Sequence, residues 1–372
     1  MTGAAPEVLR ASTDQQVLGL LYDGPRSRAE LASVGGFSKP TASESVRRLE
    51  ERGLVAETGE HRRGVGRAAS LVAIRPEAGV GLAVTIDPTG VRASTVAASG
   101  AVVGEATAAL PTAHGPRAVA AALRKAVTSV TAASAPPVRA AAVSAADPVR
   151  RSDGRLVELP DAPFLVGSLD ARRTLAPYVR GEVLVDNDVN WAARAELAAR
   201  PGAADFCYLH LGTGLGGALV TDGAVRRGHQ GLAGEVAHVI VPGPGGRAMP
   251  ITEVFAEMKL RQRDSTAIEV AAVLRDLADP RRSAVLGRAL AGVVSAFVAL
   301  ADPAFVVVAG PWGGAALPCL EDGLRGCPRP VALAAAKISD PAWAGVRAGA
   351  VAALRSWVSA AASGGMGGGS TP

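Results

Sequence analysis

Cysteine is scarce in this chain. Only Cys207, Cys319 and Cys327 occur in 372 residues. Three is an odd number, and no C-x-x-C spacing is present, so neither a disulfide framework nor a thiolate metal site is indicated. Lysine is almost missing: Lys39, Lys125, Lys259 and Lys337 stand against abundant arginine, alanine and glycine, a usage typical of a GC-rich genome. No uninterrupted apolar run reaches the roughly 18 residues of a membrane span, and Met1 to Asp14 hold no hydrophobic signal core. A cytoplasmic chain without membrane attachment is expected. What is present is ordinary for a globular protein of two or three domains, with 48% hydrophobic and 20% charged residues.

The net charge of +5 is unevenly placed. Residues 1–75 carry eleven Lys or Arg against nine Asp or Glu, yet His61 to Arg67 holds three arginines and no acid. A basic run of this kind can meet nucleic-acid phosphate, although such runs are commonly solvated loops. Its surroundings favour the first reading. Asp14 to Tyr22 has helical periodicity, with Val17, Leu18 and Leu21 on one side, and Gly24-Pro25 ends it. Ser27-Arg28-Ala29-Glu30 has the capping-box form that opens a second helix to about Val34. Gly35-Gly36 makes a turn, Ser38 caps a third helix with Pro40 in its first turn, and Gly53 stops it.

In the third helix Ala42, Val46 and Leu49 fall at i, i+4 and i+7 and face inward, leaving Pro40, Glu44, Arg47, Arg48 and Glu51 outside. Lys39, Thr41, Ser43, Glu44 and Arg47 at its N-terminal end are then candidates for DNA contact, with Arg48 on the same outer face. Strand-like runs at Leu54 to Thr58 and Ser70 to Ile74 bracket Arg62, Arg63 and Arg67, forming a basic wing. The expected organisation is a flexible stretch at 1–13 and a winged helix-turn-helix over 14–75. A larger α/β part over 76–362 follows, with a flexible tail at 363–372.

Beyond Arg75-Pro76 the chain alternates strands and helices. Strands are expected at Val80 to Ile86, Val91 to Ala97, Val138 to Ala142, Val183 to Val185, Phe206 to Leu211, Gly217 to Thr221, Val236 to Val241 and Phe305 to Ala309. Helices are expected at Pro116 to Ala133, Ser265 to Asp276, Ala284 to Ala301 and Ala344 to Ala361. Asn187-Asp188 after a strand can cap a following helix or supply a base, since an aspartate there can accept a proton. The glycine turn Gly212-Thr213-Gly214 and the run Gly231 to His238 are weak signals alone.

Together these segments resemble the ROK family of repressors and kinases. Ser27 to Ala32, Phe37 to Thr41, Leu49 to Val55 and Gly66-Arg67-Ala68 are similar to its DNA-binding head, with Ala68 where Pro is usual. Val185 to Asn190, Leu211 to Gly217 and Gly231 to His238 are similar to its sugar-kinase part. The resemblance implies a two-lobed actin-like (ribonuclease-H-like) fold, lobe one over about 76–190 plus 341–362 and lobe two over about 191–340. It implies sugar-hydroxyl partners at Asn187, Asp188, Glu235, His238 and Glu253, with Asp188 the residual base position and Gly212, Thr213 and Gly214 a remnant phosphate loop.

Three departures from the family pattern carry the functional expectation. Laid along the family's Gly-Ile-Asp-Ile-Gly-Gly-Thr-Lys phosphate loop, Ala83 to Gly90 puts Thr85 at the aspartate and Asp87-Pro88 at the paired glycines. Phosphoryl transfer rests on positioning and neutralising phosphate, so this loss should be severe. His238 is followed by no cysteines where the family has a Cys-x-Cys run, and one histidine cannot hold a tetrahedral zinc; no structural zinc is expected. Ala146-Asp147 replaces Pro-Gly near the sugar site.

The reading is a DNA-binding, sugar-responsive regulator, acting as a repressor on a double-stranded operator as a homodimer or homotetramer, without phosphotransfer. The alternatives are a pocket serving only oligomerisation, and an active ATP-dependent sugar kinase.

Overall fold

The computed structural model describes residues 4–62, 69–111, 115–131, 136–157, 159 and 169–364. The head opens with α1 (Ala4–Tyr22), followed by β1 (Arg26–Ser27), α2 (Arg28–Gly35), α3 (Lys39–Glu51), β2 (Val55–Arg62) and β3 (Ala69–Ile74). The sheet order is β1-β3-β2, so β2 and β3 form the wing. Residues 4–13, expected to be flexible, instead extend α1 by ten residues. No glycine interrupts this stretch after Gly3, and Pro6 falls in the first turn, where its missing N–H leaves no bond unmade.

The caps form as the sequence predicts. Ser27 N donates to Glu30 Oε2 at 2.8 Å while Glu30 N donates to Ser27 Oγ at 3.2 Å. Gly36, at φ 69°, terminates α2 in the left-handed region. Thr41 N donates to Ser38 Oγ at 3.2 Å to open α3.

Two larger sheets follow. The first is built from β4 (Val80–Asp87), β5 (Gly90–Val96), β6 (Val102–Ala109), β7 (Val138–Ala145) and β8 (Val183–Asn187), with α4 (Pro116–Val130) and α5 (Ala171–Leu175) between them. After α6 (Asp188–Ala198), the second uses β9 (Phe206–Leu211), β10 (Leu215–Thr221) and β11 (Ala224–Arg226). A short pair, β12 (Ile240–Pro242) and β13 (Ala248–Pro250), leads into α7 (Ile251–Glu257), α8 (Val270–Leu277) and α9 (Pro280–Ala301). The chain ends with β14 (Phe305–Ala309), α10 (Gly313–Leu324), β15 (Ala332–Ala335) and α11 (Pro341–Ala362).

The sheet orders are β6-β5-β4-β7-β8 and β11-β10-β9-β14-β15. In each, three antiparallel strands are extended by two parallel ones. This is one topology used twice, the duplicated ribonuclease-H-like arrangement. Edge strand β6 escaped the sequence reading because Val102 to Ala109 is rich in small residues and poor in alternation. The strand expected over Val236 to Val241 is a 3-10 turn at Val236–His238 followed by the three-residue β12. Val236 and Val241 reach the core while Ile240 stays exposed, so the apolar run does not alternate as a buried strand.

Helix α9 is long and apolar enough to cross a membrane by length and composition. Here Leu286, Leu290, Val293, Val294 and Phe297 of its inner face belong to the core of the second lobe.

Helix α11 returns to the first lobe and connects it to the head. Gly345 and Gly349 let it approach α6, where an added Cβ would lie 2.0 Å from Trp191 O and 2.4 Å from its ring respectively. Farther along, Leu354, Val358 and Ala362 are buried in the same core as Val17, Leu18 and Leu21 of α1 and Leu49 of α3. Polar contacts reinforce this junction. Gln15 Nε2 donates to Ser359 O at 2.9 Å, Arg52 Nη1 donates to Ala362 O, and the Arg355 guanidinium sits 4.5 Å from the Tyr22 ring centroid.

Candidate functional site

A cavity of about 270 Å³ opens between the two lobes, lined by Asp87, Pro88, Asp147, Asn187, Asp188, His210, Thr213, Gly214, Glu235, His238 and Thr252 among others. Six chain segments deliver these polar groups. The turn from β8 into α6 supplies Asn187 and Asp188. Asn187 Oδ1 accepts from Val189 N at 2.9 Å as the helix N-cap, and its Nδ2 donates to Asp147 O at 3.4 Å. Capping and pocket-lining thus coexist in one residue. Asp188 Oδ1 also accepts from Val189 N, at 2.7 Å. Loss of water around Asp188, joined by the charge of Asp87, outweighs that bond and pushes its carboxyl up to about 6.

Behind this turn Asp186 is held by Arg194 at 2.6 Å, Arg227 at 3.2 Å and Asn190 Nδ2 at 2.9 Å. Arg227 reaches across from the second lobe, and Arg151 N donates back to Gln230 O at 3.1 Å. These bonds hold the segment before Glu235 against the first lobe. Gly234 then makes the close approach that aims Glu235 inward. It sits at φ 96°, and a Cβ there would lie 2.1 Å from Gly217 O. Burial first, then the charges of Asp188 and Asp147, push the Glu235 carboxyl up to about 7, with the neighbouring His238 acting in the opposite sense.

Glu253 is not among the lining residues. On α7 the buried face is Ile251, Val254 and Phe255, and Thr252 faces the cavity. Glu253 is about half exposed and pairs with Arg261 at 3.3 Å. The shortened segment before α7 keeps the motif in sequence but turns this glutamate outward.

Gly212, Thr213 and Gly214 form the turn of the β9–β10 hairpin. Gly212 N donates to Gly214 O at 3.1 Å, and Gly212 O accepts from Trp312 Nε1 at 2.9 Å. Only Thr213 and Gly214 reach the cavity wall.

His210 is a site residue that sequence reasoning missed. It lines this cavity and a second one of about 520 Å³ that also touches Asp188, Gly310, Pro311, Gly314 and Asp340. Burial lowers its imidazole to about 4, so it is neutral at physiological pH. A lone polar residue on the Phe206-Tyr208-His210 face of an apolar strand, one step before a glycine turn, was the available signal.

The phosphate-loop position is occupied by the β4–β5 turn. Asp87 Oδ1 accepts from Thr89 N at 2.7 Å, Thr89 Oγ1 at 2.5 Å and Gly90 N at 3.1 Å. The amides that would cradle an anion at this turn are thus taken by the chain's own carboxylate. Among the described residues no three His, Cys, Asp or Glu side chains converge to hold a metal ion.

In the head, Lys39, Thr41, Ser43, Glu44 and Arg47 are all exposed along α3. Arg47 pairs with Glu44 at 2.6 Å and with Glu51, and these bonds hold its guanidinium above its ordinary range. Arg48 belongs elsewhere. Asp14 is 1% exposed and accepts from Arg48 Nη2 and Ser45 Oγ, each at 2.6 Å, with Arg52 at 3.4 Å. The α1–α3 contact turns Arg48 back to neutralise that buried charge, which leaves its side chain only 17% exposed and committed to packing. Arg62 ends β2; Arg63 and Arg67 lie outside the described residues.

A head of the winged-helix class joined to a duplicated sugar-kinase-like fold is defined by these features. The ROK family profile matches residues 82–315, well over half of the chain, and the chain belongs to that family. A MarR family profile matches residues 13–64.

Among solved structures, a ROK family transcriptional regulator described as a homolog of the E. coli MLC protein aligns over 95% of this chain and 99% of its own. The TM-score is 0.66 at 18% identity. A ROK family glucokinase from Streptomyces griseus, in complex with glucose and AMPPNP, aligns over 73% and 98% with TM-score 0.53 at 23% identity. A glucokinase of Halalkalibacterium halodurans is 44% identical over 66 residues, which is 17% of this chain and 20% of that protein. The chain spans between 20% and 35% of the length of the first curated relatives it matches.

Proposed function

We propose that this chain is a cytoplasmic DNA-binding transcriptional regulator whose affinity for DNA is set by a polyol-like ligand in the interlobe cavity, and that it does not transfer phosphate. The observation that carries the second half is the β4–β5 turn. Asp87 saturates the amides of Thr89 and Gly90 and presents negative charge where a phosphate would arrive. Catalysis of phosphoryl transfer is mostly placement and electrostatic stabilisation, so a turn that repels the anion and whose own amides are already taken loses both.

The first half rests on continuity. Asp188 begins α6, α6 packs on α11, and α11 shares its C-terminal core with the DNA-binding head. A ligand that prefers one lobe arrangement therefore shifts the population of head positions. In an oligomer this changes the spacing of two recognition helices against operator half-sites, which must be about one helical turn or a multiple of it apart. Glu235, His238, Asn187, Asp188 and Thr252 give the convergent donors and acceptors that hydroxyl recognition needs.

A second reading has one observation in its favour. The cavity of about 520 Å³ beside Asp188 has room for a nucleotide. A coupled ADP-release assay with the full chain, ATP, Mg²⁺ and a hexose panel separates the two. No turnover, together with hexose-dependent release of DNA selected from a random duplex pool, supports a regulator. Turnover abolished by Asp188→Asn establishes a kinase and overturns the reading of Asp87.

A further inference from the structure

Helix α9 is apolar on every side over most of its length. From Ala289 to Ala301 it carries no charged residue and a single polar one, Ser295. The core of the second lobe accounts for its inner face. It does not account for the outer one: Ser295, Ala299 and Leu300 are exposed, Leu300 to 86%, with Gly292 and Ala296 half-buried between them. A surface helix of a monomer has polar residues toward solvent, and a helix apolar all round is normally covered.

The bare stripe continues onto the neighbouring hairpin. Gly292 lets β12 lie directly on α9, since a Cβ there would be 2.9 Å from Val241 Cγ1 and 3.4 Å from Pro242 Cδ. Val241 and Met249 are buried, so the hairpin turns Ile240, Pro242 and Ala248 outward, with Ile240 62% exposed. On the other flank Cys327 Sγ lies 3.8 Å from Ser295 Oγ. The uncharged stretch of helix is about 20 Å long, so stripe and hairpin together offer an apolar centre on the order of 300 Å². A patch of that size suits the core of an interface of about 800 Å² per partner, whose rim is polar.

Charge selects the occupant. Arg288 and Asp302 stand equally far on either side of Ser295. Arg288 is exposed and in no ion pair among the described residues, and the Asp302 side chain is 84% exposed although it pairs with Arg329. Two α9 helices laid antiparallel about a two-fold axis near Ser295 put Arg288 of each copy beside Asp302 of the other. The small residues at Gly292, Ser295, Ala296 and Ala299 let the two backbones approach, with Leu300 and Ile240 projecting at the flanks. A lipid surface offers no such pairing to these charges. We propose that this face of α9, with Ile240 and Pro242 of β12, is the isologous interface between two copies of this chain. It sets the spacing at which two heads meet DNA, and it stands whether or not a ligand controls their affinity.

The test is sedimentation velocity of the full chain across micromolar concentrations. The parent should sediment as a dimer. Ala299→Glu and Leu300→Glu each bring an unpaired carboxylate into the contact and should weaken self-association roughly tenfold or more. Val103→Glu, on the exposed edge strand β6, should leave it unchanged. Independently, Ser295→Cys combined with Cys327→Ser should give an intermolecular disulfide on oxidation with diamide, because the axis brings the two copies of position 295 within disulfide reach. This arm also decides the matter if the glutamate variants do not fold. A parent that stays monomeric overturns the proposal, and its flotation with anionic lipid vesicles would then assign the face to a membrane. A dimer that both glutamate variants leave intact, that Val103→Glu dissociates, or that gives no cross-link also overturns it. None of these measurements involves sugar or DNA, so the sugar-gated reading survives or fails separately.

Discussion

Glu235→Gln removes a charge that the fold tolerates only for the sake of the cavity. Its carboxyl, ordinarily near 4.5, is pushed up to about 7 by burial and by Asp188 and Asp147. The folded protein therefore binds this proton more tightly than the unfolded chain does, and stability falls as pH rises from 4.5 through about 7. That gap corresponds to at most about 3–4 kcal/mol at about 1.4 kcal/mol per pKa unit. The side chain borders an open cavity and gains some solvation there, so about 1–2 kcal/mol is the expected cost at pH 8.

Glutamine keeps the shape and carries no charge. The variant should accordingly melt roughly 2–8 °C higher than the parent at pH 8, using about 2–4 °C per kcal/mol for a large domain. The two should converge at pH 4.5, where the parent carboxyl in the fold is protonated. Differential scanning calorimetry of both proteins across this range reads the effect directly. A variant less stable than the parent at pH 8, or a difference that does not change with pH, refutes the account of a destabilising buried carboxylate.

Arg48→Ala strips the closest partner from buried Asp14 and should destabilise the head by about 2–3 kcal/mol, with Arg52 compensating in part, measured by urea unfolding. Arg47→Ala should weaken DNA binding and flatten its salt dependence while leaving the melting temperature nearly unchanged, because its ion pairs lie on the surface; fluorescence anisotropy at several salt concentrations distinguishes the two arginines. Gly234→Ala forces a side chain at φ 96° to within 2.1 Å of Gly217 O, and should cost about 2 kcal/mol or more and abolish ligand binding by displacing Glu235; a fully stable variant with intact binding would show that the close approach is dispensable.

The head was highly legible because its signals are local. Ser27, Glu30, Ser38, Gly36 and Gly53 act within one turn of themselves, and the structure uses each as the sequence implies. What local pattern could not reveal was which outward arginine of α3 would be recruited by another helix. Arg47 and Arg48 are neighbours on one face, and only the position of Asp14 on α1 separates their roles. The cavity shows the same division. Asn187, Asp188, Glu235 and His238 are brought together from two segments in the order the motifs suggest. Glu253 kept its motif but lost its place, because the direction of α7 depends on the packing of Val254 and Phe255 and not on the residues beside it. His210 was missed for the opposite reason, its one signal being weak. A histidine in an apolar strand has no motif, and its role arises only where β9 ends beside α6.

The junction between head and α11 bears on how ligand binding could be read out. If the head were tethered by a flexible linker, lobe closure would leave its orientation free and the ligand would have little leverage. Here α11 is one unbroken helix of 22 residues, about 33 Å long, with its first half packed on α6 and β7 and its second half inside the head's core. Movement of α6 that tilts α11 by a few degrees displaces the far end without requiring the head to unfold. Gly345 and Gly349 leave no space between α11 and Trp191, so the two helices move together or part altogether. Coupling of about 1–3 kcal/mol is typical of such two-state elements. By reciprocity, DNA bound to the head must then change ligand affinity by the same factor as ligand changes DNA affinity. A larger side chain at Gly349 should disrupt both effects together while each site still binds on its own.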